Sequence, residues 1–107
     1  MLGVFEQAVL LAVIRLGEEA YGRAILTEVK ERLQRDVSAG AIQATLARLE
    51  QKGLLDSRIG PGTEIRAGRP RRFYRIGPAG ARALNDAHDA VTSLWRGFGS
   101  RRRKGYA

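Results

Sequence analysis

Ser38-Ala39-Gly40-Ala41-Ile42-Gln43-Ala44-Thr45-Leu46-Ala47-Arg48-Leu49-Glu50-Gln51-Lys52-Gly53-Leu54-Leu55 is the stretch on which the reading of this chain turns. Ser38 can accept from first-turn amides and so open a helix, and Gly53 suits the left-handed residue that closes one. Between them Ile42, Leu46 and Leu49 recur at helical spacing, which predicts a helix over residues 38–52 with a buried stripe. At roughly 100° per residue, Gly40, Gln43, Ala44, Ala47 and Gln51 gather about half a turn away. Solvated helix faces usually favour Glu and Lys, so a face of small and amide side chains is suited to close approach by another surface. An ordinary exposed face of middling helix propensity is the alternative.

On the N-terminal side, Val4, Ala8, Leu10, Leu11 and Ile14 predict a first helix over residues 2–16, with Gly17 as its stop before Glu18 and Glu19. Ile25, Val29 and Leu33 predict a second helix over residues 21–33, supported by the four-residue pairs Glu28/Arg32 and Glu31/Arg35. On the C-terminal side the period changes. Leu54, Leu55, Ser57 and Ile59, and then residues 71–76, read as two strands around a segment rich in Gly. Pro78 fits the first position of a fourth helix, with Ala79, Ala83, Leu84, Ala87, Val91, Leu94 and Trp95 as its apolar positions to about Phe98. The expected fold is therefore mainly α with a small β-ribbon: a winged helix-turn-helix of three helices, a two-stranded wing and a C-terminal helix. Residues 1–77 form the predicted winged domain, 78–98 the C-terminal helix, and 99–107 a basic, disordered tail.

Charge agrees with that order. The chain has 107 residues and a net charge of +8, but residues 58–75 and 96–107 each net +5 while the remainder nets −2. Two basic patches on a mildly acidic body form an electrostatic footprint for phosphate, where a bland surface would scatter its charge. With no cysteine, thiolate metal sites and disulfides are excluded, and a cytoplasmic location is expected. Residues 2–16 include Glu6, Gln7 and Arg15 and are too few to cross a bilayer, so no membrane role is expected.

In a helix-turn-helix the second helix of the pair enters the major groove. Residues 38–52 occupy that place. Gln43 can pair with adenine, Ala44 and Ala47 can meet thymine methyls, and the helix start at Ser38, Ala39 and Gly40 can hold a phosphate. Arg48, to one side, is a phosphate candidate or the partner of a Glu on its own helix. In the wing, Arg69, Arg71 and Arg72 are placed to grip backbone phosphate, and of Phe73 and Tyr74 one ring should face the core and the other the surface, Tyr74 being carried as a DNA contact. Catalytic readings find no support: His88 is the only histidine, lies beside Asp86 and Asp89 on a polar side, and has no recognisable nucleophile. Gly60-Pro61-Gly62 is not followed by the Lys-Ser or Lys-Thr of a phosphate loop. No cofactor or metal site is expected. RNA binding and a protein-interaction module remain as alternatives.

The chain also resembles the PadR-like transcriptional regulators. The likeness runs from about Leu10 to Trp95 and rests on Tyr21-Gly22, on residues 37–42 with 45–55, and on Gly68-Arg69-Pro70-Arg71-Arg72-Phe73-Tyr74-Arg75-Ile76 ahead of Gly80. The resemblance implies a homodimer that binds a palindromic operator in double-stranded DNA and usually represses, joined through the last helix and helix one. Val4, Leu11, Leu84, Val91, Leu94, Trp95 and Phe98 are then the expected dimer residues. Some members take a small planar apolar effector at the dimer centre, which makes Trp95 the effector candidate. The family usually has Tyr-Pro where this chain has Gln43-Ala44, and Thr where it has Gly77, so an operator-contacting tyrosine is absent here.

Overall fold

The computed structural model describes residues 1–60 and 70–99. Residues 61–69, Arg69 among them, and residues 100–107 with the basic run lie outside them. Along the chain come α1 (Val4–Leu16), a short 3-10 turn (Gly17–Glu19), α2 (Gly22–Leu33), α3 (Ala39–Gln51), β1 (Leu55–Ile59), β2 (Arg72–Ile76) and α4 (Pro78–Trp95). This is the mainly helical fold with a β-ribbon that the sequence predicts.

The α1 helix sits at the centre, against α2, α3, β2 and α4. Its buried residues are Val9, Leu10, Ala12 and Val13, whereas Val4 is 69% exposed and Leu11 and Ile14 also reach solvent. Of the five predicted apolar positions, only Leu10 is fully buried. Helix α1 is apolar over most of its circumference, so several stripes fit its sequence equally well and packing selects among them. Its first turn begins two residues later than predicted, with the Glu6 carboxylate accepting from the Gly3 amide at 3.1 Å.

The α3 helix keeps closely to its sequence. The Ser38 hydroxyl accepts from the Ala41 amide at 3.0 Å, and Ile42, Leu46 and Leu49 are buried with Thr45. At the other end Gly53 takes φ 79°, its amide reaches Glu50 O at 2.9 Å, and the Leu54 amide reaches Leu49 O at 3.0 Å. These two bonds use the last carbonyls of the helix and turn the chain into β1. The ribbon is antiparallel, with Leu55 opposite Ile76 and Ile59 opposite Arg72. A feature the sequence did not announce covers the other edge of β2. The Tyr74 amide donates to Ala20 O at 2.8 Å and Tyr21 bridges Phe73, so the α1–α2 connection lies alongside the wing as a short third rung.

The α4 helix starts at Gly77-Pro78, where Gly77 offers no side-chain cap. A Cβ there would meet only the Gly53 and Leu54 carbonyl oxygens at 4.0 Å, and its φ of −95° suits any residue. Gly77→Ser is therefore expected to stabilise the protein by a few tenths of a kcal/mol and so raise the melting midpoint slightly, and an unchanged or lower midpoint in thermal melts would contradict it. Further along, Gly80 and Ala87 are buried while Leu94 is 82% and Trp95 60% exposed. Helix α4 leaves the body with its apolar face uncovered. No helix among the described residues is long and apolar enough to cross a membrane.

Candidate nucleic-acid interface

Gly40, Gln43, Ala44, Ala47 and Gln51 are all exposed, on the side of α3 away from its buried stripe. The face bears no charge, and its two flanks do. On one flank a hollow is lined by Tyr21, Gly22, Arg23, Gln43, Arg71, Arg72 and Tyr74. Gly22 opens α2 within it, and a Cβ there would stand 2.7 Å from Gln43 Nε2, so the amide of Gln43 rests against the first turn of α2 only because that residue is glycine. The first-turn amides of α2 and three arginines therefore converge on one place, an arrangement that favours a phosphate.

The arginines are held there by neighbours. The Arg71 guanidinium lies 4.1 Å from the centre of the Tyr21 ring, which also packs edge-on against Phe73 at 5.7 Å. Arg72 Nη1 donates to Ser57 Oγ at 3.0 Å, and that hydroxyl donates to Glu50 Oε2 at 2.7 Å. This chain ties the wing to the end of α3. Arg58 sits over the other ring of the ribbon, 5.4 Å from the Phe73 centre.

On the opposite flank Arg48 and Lys52 meet Glu6 of α1, with Arg48 Nε at 3.5 Å and Lys52 Nζ at 3.4 Å from Glu6 Oε2. The partner of Arg48 is thus on another helix, not on its own as one sequence reading had it. Glu6 titrates below the ordinary carboxylate range, chiefly because the Gly3 amide donates to it, with Lys52 and Arg48 adding to the effect and partial burial opposing it.

The other predicted contacts are distributed as follows. Ser38, Ala39 and Gly40 are exposed at the start of α3, with the Ser38 hydroxyl already committed to the cap. Tyr74 is only 8% exposed and belongs to the core, and burial raises the pKa of its phenol. It is the inward ring of the pair, supporting the wing from the core while also lining the arginine hollow. Phe73 is half-buried between Tyr21 and Arg58. Tyr21-Gly22 stands out in the sequence as a motif, but nothing there marks Tyr21, Gly22 and Arg23 as interface residues, and the structure brings all three to the hollow. Glu6 was also missed, because it meets α3 from more than forty residues away.

Of the expected dimer residues, Val4, Leu11, Val91, Leu94 and Trp95 are exposed, Phe98 is half-buried with its ring 5.0 Å from Trp95, and Leu84 packs partly on the chain's own core. Val4, Val91 and Trp95 share a hollow with Gln7, His88, Thr92 and Arg96. No cluster of side chains suited to a metal ion occurs among the described residues.

Comparison with known proteins places this architecture. The profile of the transcriptional regulator PadR-like family matches residues 10–86. Transcriptional regulator Rv3488 of Mycobacterium tuberculosis is 41% identical over 78 residues, covering 73% of this chain and 68% of that protein. A PadR family transcriptional regulator from Eggerthella lenta is 29% identical and superposes with a TM-score of 0.65 over 86% of this chain and 78% of its own. A transcriptional regulator from Clostridium thermocellum, at 20% identity, shares the fold with a TM-score of 0.71 over 90% and 87% of the two chains. Members of this family are regulators of transcription, not enzymes. With the family profile spanning most of its length, this chain belongs to the PadR-like family of transcriptional regulators.

Proposed function

We propose that this regulator acts in the cytoplasm as a homodimeric repressor on a palindromic operator in double-stranded DNA, reading bases with α3 and holding phosphates on both its flanks. The observation that carries the reading is the uncharged, exposed face of α3 set beside the hollow that gathers Arg23, Arg71 and Arg72. In this reading Gln43, Ala44 and Ala47 face base edges. Arg48, the start of α3 at Ser38, Ala39 and Gly40, and Arg69 in the segment outside the described residues, join the backbone contacts. Residues 1–77 carry DNA binding and 78–98 carry dimerisation. The exposed Val4, Val91, Leu94 and Trp95 support a dimer joined through α4 and the start of α1. A small planar apolar effector would fit between apposed Trp95 rings.

The test is selection of bound duplexes from a random pool by the full chain. An inverted repeat with half-sites about one helical turn apart, or a multiple of it, is expected. Val91→Glu with Leu94→Glu should sediment as a monomer and lose preference for the repeat over its half-site. Enrichment of an unrepeated site, or tighter binding to structured RNA than to any selected duplex, overturns the reading.

A further inference from the structure

The cations on α3 are already engaged. Glu6 is well shielded, its side chain 15% exposed, whereas Arg48 and Lys52 are about half exposed at 49% and 51%. Glu6 Oε1 is fixed by the Gly3 amide, so Oε2 is held behind the two cations, and Arg48 Nη2 lies within 3.4 Å of Thr45 Oγ1. On the helical wheel Arg48 and Lys52 stand roughly a quarter to a third of a turn from the reading face, on the side away from the arginine hollow. They are where a second phosphate strand would pass if α3 lay in a groove.

Resting on the DNA-binding reading above, we propose that Glu6 is a charge gate on the recognition helix: it occupies Arg48 and Lys52 in the free protein, and DNA phosphate must compete with it for them. The argument is one of sign and distance. A carboxylate within 4 Å of both cations cancels one of their two charges and competes directly for their donors. The far flank then presents two donor groups but the net charge of one, while the near flank presents Arg23, Arg71 and Arg72 against Glu50. Grip on the two strands is unequal by construction. Because Glu6 stands on the first turn of α1 between Val4 and Gln7, which line the hollow shared with α4, the gate is mounted on the same turn as that hollow.

Glu6→Gln removes the charge while keeping an oxygen for the Gly3 amide. Titrating the full chain with duplex DNA at several salt concentrations should give roughly three- to tenfold tighter binding for this variant, with log K against log salt steeper by about 1 per protomer. Glu31→Gln, the same change of charge on an exposed residue of α2, should change affinity less than about twofold. In an Arg48→Gln/Lys52→Gln background the gain from Glu6→Gln should shrink to about twofold or less, and that double substitution should itself weaken binding to every duplex, since it takes the flank from a net charge of +1 to −1. Equal or weaker binding by Glu6→Gln, an equal gain from Glu31→Gln, or a gain that survives undiminished without Arg48 and Lys52 overturns the gate. The same variants are ranked by the salt that elutes them from heparin, a polyanion without base sequence. Loss of all duplex binding by the unsubstituted chain would therefore sink the DNA reading, while equal heparin elution of Glu6→Gln and Glu31→Gln would sink the gate.

Discussion

Gly80→Ala is expected to destabilise the protein by about 3 kcal/mol, lowering the melting midpoint by roughly 10–20 °C. Helix propensity alone says the opposite, because alanine in place of glycine inside a helix gains about 1 kcal/mol. Geometry decides against it. A Cβ on Gly80 would collide with the Leu54 carbonyl oxygen and come within 2.7 Å of Ile76 Cγ1. The carbonyl belongs to the backbone that follows α3 and also accepts from the Gly77 amide at 3.2 Å, so it cannot swing aside as a long side chain could. Relief requires α4 to lift off the start of β1, which strips cover from Leu54, Ile76 and Ala83 of the core margin. Ala81→Gly, one residue on and exposed, supplies the comparison: it should cost only about 1 kcal/mol. A stabilised Gly80→Ala in thermal or urea melts would mean that α4 does not make this close approach.

For binding, the largest loss is expected from Arg71→Ala combined with Arg72→Ala, on the order of 100-fold or more for every duplex sequence alike, with the salt slope shallower by about 2 per protomer. Both residues emerge at the start of β2 beside the first turn of α2, and both are held before DNA arrives, one over the Tyr21 ring and one through Ser57 to Glu50. Pre-placed donors lose little conformational freedom on binding, so removing them forfeits most of their worth. The loss should not depend on sequence, because phosphates carry no base identity. A variant that binds scrambled duplex normally and fails only on the selected site would move these arginines from the backbone to the bases.

What the sequence made legible follows from how local each signal is. The Ser38 cap, the Gly53 turn and the Gly77-Pro78 start are set within a few residues, and they appear within one or two positions of where they were expected. The buried side of α1 was not legible, since a central helix with apolar residues most of the way round does not declare which of them faces which neighbour. Contacts made between distant segments were hidden for a similar reason. The Ala20–Tyr74 rung and the pairing of Glu6 with Arg48 and Lys52 join residues whose spacing in sequence has no period. Gly22 shows the boundary between the two cases. Its place in a motif was visible, but its role as the gap into which Gln43 leans needed both helices in position.

The Leu54 carbonyl, where α3 ends, β1 begins and Gly80 presses in, also fixes a mechanical property. From that point α4 extends 18 residues, about 27 Å, toward the exposed Trp95. A tilt of roughly 5° at its root would carry the far end by about 2 Å, close to a quarter of the width between packed helices. In a dimer clasped through the far ends, that lever works in reverse: the separation of the two reading helices is set by the stiffness of the roots more than by the clasp. The tolerance for operators with one base pair more or less between half-sites would then reside in a glycine touching a carbonyl, about 22 Å from the proposed contact at Trp95.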